Sequence, residues 1–475
     1  MQNHDESFHG IRVKRQTARS KEEQLNVIIV GAGLGGLGAA IALLLAGHKV
    51  HVLESASQIA EVGAGIQVLP NSARVLIQWG LGPRLASLAT IPEEVVMLSW
   101  RSDRITSMNF ADAAEEYQAP FWDFHRADLH SALLNRAEEL GMTFQTRSRV
   151  IHVDDSDTRR ATVVLSDGRR MSADLVIGAD GIHSKCREVL LAGPSPPTPS
   201  CDLAYRVLLD TNGMRDDPTL ASFLETHQVR YWMGPGAHAV SYKLRQGELL
   251  NMVLLVPDDI PEGEMTVNAS VEEMRSLFAG WDPRISKALQ YCKSVQKWRL
   301  CYRPGLTRRW YNASGSFALL GDAVHATLPY LASGAGMSLE DGAVLGECFA
   351  RISGTSVADK TLALSVYEDC RRHRTESIVE RGNLQQWLYH LDDGEEQRAR
   401  DARFKAFGDV EELLKSKDRS LEDGKLPGGL EEGSDPLAWR RNGVGKWLIN
   451  YDCLLDVEAK WSKPTEEVFR LRPSL

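Results

Sequence analysis

The sequence predicts an α/β protein: a doubly wound parallel-sheet domain, interrupted by an inserted mixed β-sheet and followed by a helical C-terminal region. Three observations predict it. A strand, a glycine cluster, a helix-compatible run and a second strand fill residues 26–54; alternating aliphatic and aromatic residues dominate about 204–298; and a buried-strand pattern followed by a helix resumes at Phe317. Alternation of strands with helices argues for a parallel sheet, whereas consecutive strands argue for an antiparallel layer.

The composition permits such a fold and narrows its function. A chain of 475 residues exceeds the length at which one core keeps growing, so two packed domains, or one domain with a large insertion, are expected. With 43% hydrophobic and 25% charged residues, it has enough apolar material to fold throughout. The net charge of −9 and the lack of a basic face argue against a nucleic-acid partner. The apolar run Ala39 to Ala46 is too short to cross a bilayer, and no signal-peptide pattern opens the chain, so a cytoplasmic protein without a transmembrane segment is expected. Seven cysteines at scattered positions read as free thiols.

Residues 1–24 are polar and mixed in charge, and a flexible leader is expected there. Val27-Ile28-Ile29-Val30 is a β-branched strand, Ala39 to Gly47 continues a helix, and Val50-His51-Val52-Leu53 is a second buried strand. Asp128 to Leu140 reads as a helix, and Ala161 to Leu165 and Met171 to Ile177 read as strands about the turn Ser166-Asp167-Gly168. Phe317 to Leu320 is a strand and Gly336 to Ile352 a helix. The division that follows places the first domain at 25–200 and 300–390, the inserted sheet at 201–299, and a C-terminal extension at 391–475. Lys425 to Gly429 reads as an exposed loop. Trp439, Trp447, Tyr451 and Trp461 are expected to pack onto the body, and Trp232 and Met252 to be core.

Gly31, Gly33 and Gly36 form G-x-G-x-x-G between strand and helix. They suit a tight turn, a close backbone approach to a pyrophosphate and close helix packing, with the helix N-terminus favouring the anion. Glu54 ends the next strand, close to the separation of about 20 residues at which a carboxylate meets ribose hydroxyls. Together these make a Rossmann-like nucleotide site. Two further segments carry polar groups at strand ends. Val176 to Ser184 runs into the turn Asp180-Gly181; Leu319 to Pro329 delivers Asp322, and Gly334-Ala335-Gly336 then opens a helix.

These three ordered segments resemble the glycine fingerprint, Asp-Gly motif and Gly-Asp motif of the FAD-dependent single-component aromatic hydroxylases, the family that includes 4-hydroxybenzoate and salicylate hydroxylases. The resemblance covers about residues 26–390. It implies FAD, with the adenosine ribose on Glu54, the pyrophosphate on Gly31 to Gly36, and the ribityl or pyrophosphate end on Asp322. It also implies that Gly334, Ala335 and Gly336 lie near the flavin pyrimidine. Ala64 and Gly65 resemble the family's small-residue segment along FAD, Arg126 its cofactor-touching arginine, and Asp180 the residue linking FAD to nicotinamide use. Ala326 stands where many members have proline, and His325 is expected as a pocket neighbour.

The resemblance implies reduction of FAD by NAD(P)H, reaction with O2 to a C4a-hydroperoxide, and attack by an electron-rich ring. A phenolic or hydroxybenzoate substrate is therefore expected, hydroxylated with or without decarboxylation or dearomatisation. A phenolate attacks better than a phenol, so the inserted sheet must offer a cation or hydrogen-bond donors. Arg206 lies in an apolar strand-like run where a buried guanidinium needs an anionic partner. His238 and Tyr242 are four apart in a strand and share a face; they resemble substrate-contacting residues of fungal members. A reductase or dehydrogenase without oxygen insertion, an epoxidase acting on a non-phenolic metabolite, and a flavin-binding module are the alternatives. NADH versus NADPH and oligomeric state stay open.

Overall fold

The computed structural model describes residues 7–58, 65–417, 430–431, 434–440 and 444–462. Its first layer is a parallel sheet in the order Phe317–Leu319, Leu175–Gly178, Asn26–Val30, Lys49–Leu53, Thr143–Gln145. The central strand is buried from Val27 to Val30, as expected of a parallel strand covered on both faces. The helix Leu34–Leu45 follows and is buried nearly all round, which explains its almost uninterrupted apolar sequence. It crosses the helix Gly334–Arg351 at very short range. A Cβ on Gly342 would lie 2.8 Å from the Ala39 nitrogen, and one on Gly346 would lie 2.5 Å from the Ala42 Cβ.

The second layer is a mixed eight-stranded sheet, ordered Thr266–Ala269, Val295–Tyr302, Thr198–Asp210, Leu249–Pro257, Ala237–Leu244, Gln228–Gly234, Glu94–Ser99, Arg104–Asn109. The last two strands come from outside the interval 201–299. Glu94–Ser99 pairs in parallel with Gln228–Gly234, a long-range register that no local pattern announces. Alternation sorts this sheet's faces. Tyr205, Val207, Trp232, Met252 and Leu254 enter one core, as expected for Trp232 and Met252, while Ala204, Tyr231, Val240 and Leu255 face the first domain.

Two local expectations are corrected, and a third falls where nothing tests it. Residues 7–24 are tied down: Ser7–Phe8 pairs with Ile11–Arg12, Lys14 forms an ion pair with Glu347, and Phe8 packs on Gly82. Arg19 donates to the carbonyls of Phe349, Ala350 and Ile352 at 2.8–3.0 Å, which closes the C-terminus of the helix Gly334–Arg351. The run Met171 to Ile177 is two strands. Arg170–Ala173 pairs antiparallel with Ala161–Leu165, and Asp174 turns the chain into the parallel sheet by accepting from the Asn26 amide at 2.8 Å. Lys425 to Gly429 lies outside the described residues.

The C-terminal region is helical, with Val357–Tyr389, Glu395–Lys417, Val444–Ile449 and Cys453–Trp461. Trp439 is buried against Phe110 and Tyr231, with ring centroids 5.9 and 6.1 Å away. Trp447 is partly exposed beneath the Arg374 guanidinium. All seven cysteines are free. Among the described residues, no helix is long and apolar enough to cross a membrane, and no cluster of acidic, histidine or cysteine residues could hold a metal.

Gly346→Val places two methyl groups against the Ala42 backbone. The expected outcome is a loss of about 3 kcal/mol, the upper end for overpacking, read as a lower urea midpoint at unchanged slope.

Candidate active site

A cavity of about 340 Å³ runs between the two layers, from the glycine fingerprint to the inserted sheet. Its first half is built from helix starts. Gly31 adopts φ +105°, and a Cβ there would lie 2.5 Å from the Ala179 oxygen, so the turn requires glycine. A Cβ on Gly33 would meet nothing within 4 Å, which leaves the backbone open to a ligand. Gly36 packs against Gly31. The helices Leu34–Leu45 and Gly334–Arg351 both start without a side-chain cap, so their first-turn amides remain available to an anion or an electron-poor ring.

Glu54 accepts from the amides of Ala56 at 2.8 Å and Ala32 at 2.9 Å. Burial pushes its carboxyl up, but these amides and Ser55 outweigh that and hold it below the usual range. Asp322 borders the groove with Gly334 and Ala335. Crowding by protein pushes its carboxyl up, against the opposing pull of His325 and Arg126. Arg126 opens the helix Arg126–Glu139 on the same wall.

Other expected residues sit differently. Gly336 packs toward Ser72, where a Cβ would lie 3.2 Å from its hydroxyl, so it serves helix packing while Gly334 and Ala335 face the groove. Asp180 accepts from Ser184 Oγ at 2.5 Å and from the amides of Lys185 and Cys186 at 2.7 and 3.0 Å, which commits its carboxylate to the start of the helix Lys185–Leu191. His325 lies behind the wall, fully buried, with Nε2 2.6 Å from Asp341. Ala64 lies outside the described residues. Gly65 touches Tyr242, whose ring carbon would be 2.5 Å from a Cβ, and its amide donates to Asn251 at 2.8 Å.

The second half is the sheet face carrying Arg206, His238 and Tyr242. In register, Arg206 stands opposite Val253 and Val240 opposite Val253 from the other side, so the row of Arg206 lies between those of His238 and Tyr242. The burial expected of Arg206 is corrected: it is exposed to the cavity, because Tyr205 and Val207 take the core face and leave it the other. Its guanidinium lies over Trp298 at 5.2 Å. Tyr242 is buried, which pushes its hydroxyl well up. Burial and His390 push His238 well down, so its imidazole is neutral.

Several candidate groups are not legible in the sequence. Asp123, on the strand Trp122–His125, is buried and accepts from Gln67 Nε2 at 3.0 Å; burial pushes its carboxyl up to about 8, so it is protonated at neutral pH. Its only sequence signal is an acid inside an aromatic run. Glu340 and Asp341 form a buried ionic cluster beneath the groove. Arg371 meets both at 2.7 Å, Arg374 meets Glu340 at 2.8 Å, and Asp341 accepts from the Gly321 amide at 2.9 Å. Tyr330 and His390 also reach the cavity region, the latter through His238 at 2.7 Å.

Comparison with known proteins agrees with this geometry. Residues 24–382 match the family described as FAD binding domain. The chain is 42% identical to the FAD-dependent monooxygenase OpS4 of Beauveria bassiana over 80% of this chain and 89% of that one. It is 32% identical to 3-hydroxybenzoate 6-hydroxylase of Polaromonas naphthalenivorans over 77% and 88%. The crystal structure of CtdE in complex with FAD and substrate shares the fold, with a TM-score of 0.75 at 21% identity, covering 94% of this chain and 99% of that one.

Asp123 keeps a proton that the unfolded chain releases near pH 4, so it costs stability progressively between about pH 4 and 8. Asp123→Asn is expected to melt increasingly above the parent as pH rises through that window. The gain at pH 8 should be at least about 1 kcal/mol, measured by thermal melts at pH 5 and 8. Asp341→Asn leaves buried Arg371 and the Gly321 turn poorly paired. A loss of about 3 kcal/mol and release of FAD on gel filtration are expected.

Proposed function

The chain belongs to the FAD-dependent monooxygenase family defined by this FAD binding domain, and from that membership we propose that it hydroxylates a phenolic or hydroxybenzoate-type aromatic with NAD(P)H and O2 in the cytoplasm. The observation that carries this reading is the continuity of the cavity. One space is bordered by Gly33, Asp322 and Gly334 at one end and by Arg206, His238 and Tyr242 at the other. Relatives named for hydroxybenzoate and amino-hydroxybenzoate hydroxylation support an aromatic substrate.

The residues fit FAD. Gly31, Gly33 and Gly36 with the uncapped helix start suit the pyrophosphate, Glu54 the adenosine ribose, Asp322 and Arg126 the ribityl region, and Gly65, Gly334 and Ala335 the ring. Bound FAD supplies acceptance of two electrons from the nicotinamide and activation of O2 for insertion into the ring. Asp180 bears on nicotinamide use through the turn it holds.

The chain's own task is to hold the ring and its charge. Arg206 stabilises the oxyanion of an ionised phenol. Tyr242 donates to the ring substituent, and His238, neutral through burial, accepts the phenol proton at Nε2. Val240, Val253, Leu255 and Leu300 wall the chamber with apolar surface and exclude water from the reacting ring.

FAD-loaded protein assayed with salicylates, 4-hydroxybenzoates and substituted resorcinols is expected to consume NAD(P)H and O2 in step with one oxygenated product. Reduction of a substrate without oxygen consumption selects the hydride-transfer alternative, and no stimulation by any phenol rejects the aromatic reading. Arg206→Gln and Tyr242→Phe are each expected to lower kcat/KM by about 10- to 100-fold while retaining FAD, the range for losing a hydrogen bond to a charged group.

A further inference from the structure

His238 does not end the polar chain that starts in the chamber. Its Nδ1 lies 2.7 Å from His390 Nε2, and His390 Nδ1 lies 3.3 Å from Asp202 Oδ2. Asp202 is buried at the start of the inserted sheet. It also accepts from Tyr330 Oη at 2.5 Å and Gln386 Nε2 at 2.7 Å, which fixes the carboxylate in place. His390 is held by its carbonyl, which accepts from the Gly236 amide at 3.0 Å. It ends the long helix Val357–Tyr389 and, with Gln386, borders a separate open depression that also contains Asp392, Asp393 and Glu395. His238 borders the inner cavity, His390 the outer depression, and one hydrogen bond joins them.

The donor order is set from the carboxylate end. An ionised Asp202 is acceptor only, so His390 carries its proton on Nδ1 and offers a lone pair at Nε2. His238 must then donate from Nδ1, which leaves its Nε2 as an acceptor for the chamber. We propose that His390, oriented by Asp202, is a positioning residue that carries the substrate's phenolic proton from His238 to solvent in the outer depression.

The transfer balances without a co-reactant and rests on the phenol reading above. The phenol O–H bond breaks as an N–H bond forms at His238 Nε2. The Nδ1 proton of His238 moves to His390 Nε2, and the Nδ1 proton of His390, which faces Asp202, passes by way of that carboxylate to water in the depression, leaving the carboxylate as it began. One proton enters and one departs, the histidines end uncharged in the opposite tautomers, and the phenolate stays beside Arg206. Burial and mutual proximity push His238 down, while burial pushes His390 down against the pull of Asp202, so neither imidazole traps the proton.

The test mixes FAD-loaded protein with 4-nitrophenol below the pH at which it ionises in water and follows the phenolate absorbance by stopped flow. The parent is expected to ionise bound 4-nitrophenol rapidly. His390→Ala and His390→Gln are expected to slow ionisation at least tenfold at unchanged Kd, and added imidazole to restore the rate in His390→Ala because the depression is open, but not in His238→Ala. Unchanged rates in both His390 variants, or slowed rates that imidazole does not restore, overturn the relay and leave the phenol reading standing. A parent that neither binds nor ionises 4-nitrophenol overturns both.

Discussion

The close crossing of two helices is the constraint on which the site depends. Leu34–Leu45 and Gly334–Arg351 both send N-termini into the groove, and they can do so only because Gly342 and Gly346 let one backbone rest on Ala39 and Ala42 of the other. A side chain at either glycine would push the two starts apart. Both termini lack side-chain caps, so the orphan amides that a cap would satisfy are the ones a pyrophosphate and a flavin ring can use. The helix Gly334–Arg351 carries Arg19 at its far end, which closes its last carbonyls.

Beneath the crossing, burial of charge replaces apolar packing. Glu340 and Asp341 are fully buried and would be untenable alone; Arg371 and Arg374 pair with them. Asp341 is held down to about 2 because, although burial pushes it up, His325 and Arg371 prevail. Such a cluster adds little net stability over an apolar replacement, but it fixes directions that an apolar core leaves loose. Asp341 grips the Gly321 amide directly before Asp322, and Arg374 reaches the carbonyls of Trp447 and Leu448. The C-terminal segment thereby becomes part of the groove's foundation.

The sequence made legible what repeats at short range. The fingerprint, Glu54, Asp322 and the shared face of His238 and Tyr242 follow from spacing within one strand or turn, and each occupies the expected element. What escaped depends on partners distant in the chain. Glu94–Ser99 joins the inserted sheet through a strand more than a hundred residues later, and the leader is held by Glu347 and by carbonyls near Ile352. Arg206 shows a different limit: an apolar run suggests burial, although alternation lets one polar side chain in a strand face a cavity. Asp123 and His390 acquire their chemistry from burial and from partners distant in the chain, Gln67 for the one and His238 and Asp202 for the other, which no local pattern encodes.

The chamber's chemistry follows from which groups burial leaves charged. Asp123 is protonated, Tyr242 keeps its proton and His238 is neutral, each for want of solvation, while among these four Arg206 bears a charge and faces the cavity. A neutral phenol entering such a space gains little from Arg206; its anion gains much, because a low-dielectric wall strengthens the pairing. Ionisation is then favoured only if the proton can leave, since a proton retained on His238 would sit beside the same guanidinium. The hydrogen bond from His238 to His390 turns that requirement into a geometry. On the phenol reading, the cationic chamber and the exit toward Asp392 and Glu395 are two halves of one electrostatic arrangement, positive where the oxyanion forms and acidic where the proton emerges.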